Sequence, residues 1–310
     1  MNLNAFHVYY LREPVTDKWK FIDTLVQYAS IIHWKKYYGP VHLYCNTLFY
    51  EEVKKNKLDR FYDSINLEIL DRLPFEKMTK FWSFSKLIAI RDISKKWTNF
   101  VIMDTDLWVK SGLKLDLNQN LIGYHKEHLC DHSRNPYISP TNFLDCDKYD
   151  FDWTVSPINC GFLYFNSEFL VHLWVSIAEE VVKTSDSELT NEMSSDTIFI
   201  EQRLLSTIAE KLQLKWTTLI ENVYYPEVDV NEQGLEWSPR VGYTEDNMKL
   251  TSKIKHVWGL KKRYDDSSIR ELVLSVCLSS LDENIPNWTD EVPDLVEKIW
   301  RYQKDGELSI

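Results

Sequence analysis

Long apolar runs are missing from this chain of 310 residues. A membrane-spanning helix needs roughly 20 consecutive apolar residues, and a signal peptide needs a shorter apolar run behind a positively charged start. Neither pattern occurs, either at residues 1–20 or further along the chain. We therefore expect a protein with no membrane span and no secretory signal.

Cysteines are few, and their spacing is not that of a disulfide framework or a zinc-binding domain. The five cysteines are an odd number and include no Cys-x-x-Cys pair. Such a pattern is typical of reduced thiols inside a cell, so we expect a cytoplasmic location. They are Cys45, Cys130, Cys146, Cys160 and Cys277.

An excess of positive charge is also missing. The chain has 36 Lys and Arg against 47 Asp and Glu, which gives a formal net charge of -11. A field of this sign repels nucleic acid and anionic membranes, so we expect no nucleic-acid partner. It also means that a diphosphate can bind only where a metal ion or a few lysines supply positive charge locally.

Short apolar segments alternate with helix-like segments through the first half of the chain. Hydrophobic residues make up 44% of the sequence, which is enough for a packed core. The alternation predicts an α/β fold with a doubly wound sheet. The predicted strands are 5–10, 41–45, 67–70 and 100–103, and the predicted helices are 19–38, 48–61 and 79–96. The apolar run at 100–103 favours a central parallel strand that is covered on both faces.

The second half is less regular. We expect one domain over residues 1–263 and a C-terminal helical extension over 264–310 that packs on it. Two polar stretches, 128–153 and 184–195, are predicted as loop and linker. The other predicted strands are 121–125, 161–165 and 255–258, and the other predicted helices are 168–183, 196–211, 269–281 and 293–303.

The sharpest chemical signal is Asp104-Thr105-Asp106, directly after the apolar strand at 100–103. Ligands bind beyond the carboxyl ends of strands in open α/β sheets. Two carboxylates there can share a hard divalent cation, which prefers oxygen ligands and substrate phosphates. The alternative interpretation is a solvated turn, which we prefer for the two similar pairs at 145–147 and 150–152 because no buried strand precedes them.

Four short segments stand in a fixed order along the chain. They are Ser85-Lys86-Leu87 leading to Asp104-Thr105-Asp106, then Asn159-Cys160-Gly161, Glu201-Gln202-Arg203-Leu204-Leu205, and His256-Val257-Trp258-Gly259 with Lys262 beyond. Taken alone, Lys86 would be read as an ordinary solvated lysine. Together, the four segments resemble the glycogenin-like glycosyltransferase family 8, a family of GT-A-type enzymes. The departures from the family pattern include Cys160 in place of serine and Glu201 in place of aspartate.

This resemblance implies a GT-A-like mixed sheet with a Rossmann-like nucleotide-binding half. It also implies a metal-dependent transfer of sugar from a nucleotide-diphosphate sugar, with UDP as the expected nucleotide, to a glycan, protein or lipid-linked acceptor. The metal would be Mn2+ or Mg2+, held by Asp104, Asp106 and His256. The implied catalytic residues are Asn159, Glu201 and Gln202. The residues expected to bind the donor are Tyr9, Tyr10, Asn46, Lys86, Asp104, Thr105, Asp106, Gly161, Gly259 and Lys262.

Several alternatives remain open at the level of sequence. The group His125, His128, Cys130 and His132 is dense enough to suggest zinc, but its spacing is not that of a zinc finger and favours a wet loop. A nucleotidyltransferase is a second candidate function, although the segment 10–14 lacks the glycines of a phosphate loop. A non-catalytic nucleotide-sugar-binding protein is a third candidate. The oligomeric state is open, a homo-oligomer included.

Overall fold

The computed structural model describes residues 2–14, 19–74, 81, 83–127, 146–184, 198–220, 223–224, 227–231, 234–238, 253–257 and 264–305. The strands are β1 Ala5–Tyr9, β2 Val41–Cys45, β3 Ser64–Asn66, β4 Phe100–Met103, β5 Leu107–Val109, β6 Leu121–Gly123, β7 Lys126–Glu127, β8 Phe162–Phe165, β9 Trp216–Thr218, β10 Val223–Tyr224, β11 Glu227–Asn231, β12 Gly234–Ser238 and β13 Ile254–His256. The α-helices are α1 Lys20–Tyr37, α2 Thr47–Lys55, α3 Glu68–Asp71, α4 Phe84–Ser94, α5 Cys146–Tyr149, α6 Glu168–Thr184, α7 Leu204–Lys211, α8 Ser267–Asn284, α9 Trp288–Glu291 and α10 Pro293–Asp305.

Seven strands form the central sheet in the order β3-β2-β1-β4-β8-β6-β9. Neighbours from β3 to β4 are parallel, β8 is antiparallel to both β4 and β6, and β9 is parallel to β6. The predicted mixed α/β fold is confirmed. The predicted parallel environment of β4 holds on one side only, because its other neighbour, β8, runs the opposite way.

The sheet separates two apolar cores. Side chains alternate along a strand, so Val101 and Met103 join one core while Phe100 and Ile102 join the other. Helices α1, α8 and α10 contribute to the first core, and α4, α6 and α7 to the second. All four residues of β4 are buried, which explains why its sequence is apolar without interruption.

The C-terminal helices pack on α1 and β5. Trp108 Nε1 on β5 donates to Ser280 Oγ on α8 at 3.1 Å, and Tyr28 Oη on α1 donates to a carboxylate oxygen of Glu291 at 2.7 Å. Helix α8 begins at a capping residue, Asp266, whose side chain accepts from Ser268 N at 2.9 Å. The division of the chain at residue 263 stays a prediction. None of the described helices is long and apolar enough to cross a membrane.

Apart from small shifts at their ends, several predicted elements differ from those observed. The helix expected at 79–96 begins at Phe84, and Phe81 lies outside it. The strand expected at 67–70 is wrong: the strand lies at Ser64–Asn66, and the Asn66 side chain then accepts from Ile69 N at 3.3 Å, as at the start of a helix. The helix expected at 48–61 ends at Lys55, because Lys57 has a left-handed φ of 57°, and a 3-10 turn follows over Asp59–Phe61. The helix expected at 196–211 contains a π-helical segment, Phe199–Arg203, before α7.

Candidate active site

The central sheet and the two-stranded sheet of β5 and β13 bring the predicted metal ligands together. Asp104 follows β4, and its amide donates to the carbonyl of Gly161 at 2.8 Å on the neighbouring connection to β8. The chain then turns into β5, which pairs antiparallel with β13 so that His256 lies opposite Leu107. Val257 N donates to the Asp106 carbonyl at 3.0 Å. This short ribbon, which the sequence did not predict, carries His256 to the acidic pair.

The three side chains form a group that suits a divalent cation. One ligand atom each from Asp104, Asp106 and His256 lies within 4.8 Å of the others. His256 Nε2 is 3.4 Å from Asp106 Oδ1 and 4.0 Å from Asp104 Oδ2. Ligands at about 2.1 Å from Mg2+ or Mn2+ would be separated by about 3 to 4 Å. Two carboxylates and an imidazole are therefore spaced, and chemically suited, for such an ion.

Gly161 makes room for the imidazole of His256. A methyl group at Gly161 would lie 2.5 Å from Cε1 and 3.1 Å from Nδ1 of His256. On the other side, the ring of Tyr124 meets His256 edge to face, with centroids 5.1 Å apart. His256 is therefore 2% exposed and closely confined. Gly161 also lines the cavity described below, and its predicted contact with the donor stays a prediction.

Lys86 is bound on three sides by the protein. Its ammonium group lies 2.8 Å from Asp104 Oδ1, 2.7 Å from the Cys160 carbonyl oxygen and 2.9 Å from Glu201 Oε1. Burial opposes its charge, but the adjacent carboxylates of Asp104 and Glu201 outweigh burial and raise the pKa of Lys86. An ammonium group has three hydrogens to donate, and three acceptors already surround this one. Lys86 thus links Asp104, a predicted metal ligand, to Glu201.

Glu201 lies on the π-helical segment Phe199–Arg203, and its side chain is buried. π-Helical segments often occur at functional sites, because the extra residue re-aims side chains on the helix. Burial raises the pKa of Glu201, and the Lys86 ammonium counters that effect. Gln202, the next residue, also lines the cavity described below.

Asn159 is buried, and both the oxygen and the nitrogen of its side-chain amide form hydrogen bonds. Its Oδ1 accepts from Gly161 N at 3.0 Å, and its Nδ2 donates to Glu127 Oε1 at 3.1 Å. Glu127 is 2% exposed and also accepts from His125 Nε2 at 3.0 Å. Sequence reasoning missed Glu127, because an acid next to three histidines was interpreted as part of a wet loop.

A cavity of about 800 Å³ opens over these groups at the carboxyl edge of β1 and β4. Its walls include the metal-binding group, Lys86, Asn159, Glu201 and the segment after β1. Thr105, Tyr9 and Tyr10 line it, and their predicted contact with the donor stays a prediction. Tyr9 is 37% exposed, and its ring stacks on Phe49 with centroids 4.2 Å apart.

The side chain of Asn46, in contrast, is hydrogen-bonded to the protein backbone. Its Oδ1 accepts from Leu11 N at 3.0 Å and from Phe49 N at 3.4 Å, and its Nδ2 donates to the Leu11 carbonyl at 2.8 Å. These bonds cap α2 and fasten the segment after β1. Asn46 is not among the residues that line the cavity. Its direct role toward the donor base stays a prediction.

Arg12 was not singled out from the sequence, yet it lines the cavity and is exposed. Its position in the chain, directly after β1, could have identified it. The segment after β1 leaves the same sheet edge as Asp104, so a cation there lies beside an anion-binding region. Among the lining residues that the structure describes, Arg12 and Lys86 are the lysine or arginine side chains.

Some predicted residues lie outside the described part of the chain. These are Gly259, Lys262, the zinc-cluster candidates His128, Cys130 and His132, and most of the polar stretches 128–153 and 184–195. Asp150 and Asp152 are described and exposed, and they pair with Lys211 and Thr154. This arrangement agrees with a surface turn.

No protein-family model matches the chain, and no curated protein matches its sequence. Solved structures do match it. The galactosyltransferase LgtC, in complex with donor and acceptor sugar analogues, gives a TM-score of 0.47 at 11% identity, over 93% of this chain and 99% of that one. The apo-form glycosyltransferase GlyE of Streptococcus pneumoniae TIGR4 gives 0.47 at 11%, over 96% of this chain and 64% of that one. Mouse xyloside xylosyltransferase 1, apo form, gives 0.38 at 12%, over 70% of this chain and 84% of that one.

These three matched structures are all glycosyltransferases, the class that the four motifs resemble. At such low identity, the similarity assigns neither a substrate nor a reaction to this chain. Membership of glycosyltransferase family 8 stays a prediction.

Proposed function

We propose that this protein is a metal-dependent glycosyltransferase that takes a sugar from a nucleotide-diphosphate donor, expected to be a UDP-sugar. The observation that carries this proposal is the group Asp104, Asp106 and His256, whose ligand atoms lie within 4.8 Å of one another on the wall of the cavity. The four ordered motifs of the sequence support the same reaction class.

The metal-binding group suits Mn2+ or Mg2+, which when bound neutralises a diphosphate and stabilises it as a leaving group. The described residues around it are mostly acidic: Asp104, Asp106 and Glu201 against Lys86. A diphosphate therefore needs further positive charge from the protein, beyond the ion itself. Arg12 meets this need, because it is exposed on the same cavity and its planar guanidinium can bind two phosphate oxygens at once.

Gln202, Asn159 and Glu201 are assigned to the transferred sugar. Gln202 and the second amide hydrogen of Asn159 supply hydrogen-bond donors that suit sugar hydroxyl oxygens. Glu201, held by Lys86, places a buried carboxylate beside the reaction centre. We assign it to electrostatic stabilisation near the transferred sugar. The acceptor is expected to be a glycan, a protein or a lipid-linked sugar.

We also propose a cytoplasmic location. Cys45, Cys160 and Cys277 are free and buried, and reduced thiols suit a reducing compartment.

A screen of nucleotide sugars with Mn2+, measuring release of nucleoside diphosphate, tests the proposed function. We expect slow hydrolysis of one donor without acceptor, and loss of that hydrolysis in Asp106→Asn. Asp150→Asn is the matched control, because Asp150 is an exposed carboxylate of the surface turn. Release of pyrophosphate from a nucleoside triphosphate would instead indicate a nucleotidyltransferase. Donor binding without release, in the presence of glycan, protein and lipid-linked acceptors, would indicate a binding protein.

A further inference from the structure

The segment 159–161 contacts two residues of the metal-binding group, Asp104 and His256, and also Lys86. The Gly161 carbonyl accepts from Asp104 N at 2.8 Å, and the Cys160 carbonyl accepts from Lys86 Nζ at 2.7 Å. Gly161 also lies against His256, so closely that a methyl group on it would lie 2.5 Å from the ring. A shift of this segment would therefore move Asp104, Lys86 and His256 together.

Asn159 fixes the shape of the segment. Its side-chain Oδ1 accepts from Gly161 N, two residues ahead, at 3.0 Å. Its main chain is bound to the connection between β6 and β7, because Asn159 N donates to the His125 carbonyl at 2.9 Å and Tyr124 N donates to the Asn159 carbonyl at 3.1 Å. The conformation of 159–161 thus depends on which way the Asn159 amide faces.

Glu127 decides that orientation. Its Oε1 accepts from Asn159 Nδ2 at 3.1 Å and from His125 Nε2 at 3.0 Å. An ionised carboxylate can only accept hydrogen bonds, so the amide must turn its NH2 group to Glu127 and its oxygen to Gly161 N. The opposite orientation would place an oxygen against a carboxylate and an NH2 group against an N–H group.

We propose that Glu127 is a positioning residue for the metal centre, acting through Asn159 and the segment 159–161. Glu127 is 2% exposed and is not among the cavity-lining residues, so it acts on the centre through its neighbours. A buried carboxylate is costly, and it does not by itself indicate a gain in stability. Partners of metal ligands, in contrast, commonly set metal affinity. This inference rests on the proposed function, in which the centre binds a divalent cation.

The test is the affinity for Mn2+ alone, measured by electron paramagnetic resonance on the full chain. Glu127→Gln keeps an acceptor oxygen for both neighbours, so we expect its dissociation constant to stay within about twofold of the parent value. Glu127→Met has a similar shape but no such acceptor, and we expect binding to weaken about 10- to 100-fold. Glu291→Met is the matched control, because Glu291 accepts from Tyr28 outside the centre, and we expect parent-like binding.

Asn159→Ala removes the same link while leaving Glu127 with His125, and should weaken Mn2+ binding to a similar extent. The double variant Glu127→Met/Asn159→Ala should lose little more than either single variant, since both changes break one connection. Thermal melting establishes which variants fold. If Glu127→Met does not fold, Asn159→Ala alone decides the result.

Parent-like Mn2+ affinity in a folded Glu127→Met variant, or in Asn159→Ala, would overturn the positioning role and leave the proposed function standing. A parent protein that does not bind Mn2+ would overturn both the metal centre and this inference.

Discussion

His256 packs directly on Gly161, and a methyl group at that glycine would lie 2.5 Å from Cε1 of the imidazole. The backbone at residue 161 leads straight into β8, so the ring has to give way. We expect Gly161→Ala to displace His256 from Asp106 and to weaken Mn2+ binding at least about tenfold, measured by titration with Mn2+. In a His256→Ala background the same methyl group meets no ring and is near only Asn159 Oδ1, at 3.1 Å, so there we expect a smaller additional loss. Unchanged Mn2+ affinity in Gly161→Ala alone would show that His256 is not a ligand.

Replacing Lys86 tests how much its buried ion pair with Glu201 contributes to the unfolding free energy of the protein. The sequence alone predicts that Lys86→Met leaves the melting temperature nearly unchanged, as for a lysine that only binds donor. The structure gives another expectation, because loss of the ammonium leaves Glu201 buried without its partner. Breaking a buried ion pair on one side costs about 3 to 5 kcal/mol of unfolding free energy.

Urea denaturation measures this effect. The double variant Lys86→Met/Glu201→Met should recover part of the loss, because it no longer buries an unpaired carboxylate. A Lys86→Met protein as stable as the parent would mean that the pair is open to solvent.

Arg12 gives a prediction about donor binding. We expect Arg12→Gln to weaken UDP binding in the presence of Mn2+ by about tenfold, on the order of 1.5 kcal/mol, as for a charge-assisted hydrogen bond. The melting temperature and the affinity for Mn2+ alone should stay at the parent values, because Arg12 is exposed. Calorimetric titration with UDP is the measurement. Arg72→Gln, on the surface near Glu68, is the control. Equal loss in both variants would indicate only a change of net charge.

His7 makes part of the stability depend on pH. Burial lowers its pKa from 6.5 to about 3, although Asp106 acts in the opposite sense, and its ring is bound to Tyr62 and Ser30. The unfolded chain therefore takes up a proton on this residue at a higher pH than the folded chain. Stability from His7 is fully present above pH 6.5 and is lost as the pH falls toward 3, at up to about 1.4 kcal/mol per pH unit.

We expect the unfolding free energy of the metal-free parent to approach that of His7→Gln as the pH is lowered from 7.5 to 5. Urea denaturation across this range measures both proteins. A constant difference between parent and His7→Gln would contradict the buried, neutral state of His7.

The carboxyl end of β4 was predictable because two physical signals coincide there. An apolar run without polar interruption must be covered on both faces, and Asp104 and Asp106 follow at the edge where ligands bind. His256 was placed in the site only by the resemblance to known motifs. The contact that brings it there, between β5 and β13, joins segments far apart in sequence, and no local pattern specifies such a pairing.

Other residues were ambiguous because one residue type serves two purposes. An asparagine after a strand suits a ligand contact and a helix cap equally, and Asn46 is the cap of α2. Lys86 was singled out only by the resemblance, because its three acceptors come from the residue after β4, the connection before β8 and the π-helical segment. His7 carries no signal at all, since a histidine inside an apolar strand looks the same whether its partners are Tyr62 and Ser30 or water.

The most direct test of the central claim is the stoichiometry of Mn2+ binding in the presence of UDP, measured by electron paramagnetic resonance. The proposed centre predicts one Mn2+ per parent chain, with binding lost or weakened at least about tenfold in Asp106→Asn and unchanged in the surface variant Asp150→Asn. Parent-like binding of Mn2+ and UDP by a folded Asp106→Asn protein would contradict the assignment of Asp104, Asp106 and His256 as the metal site.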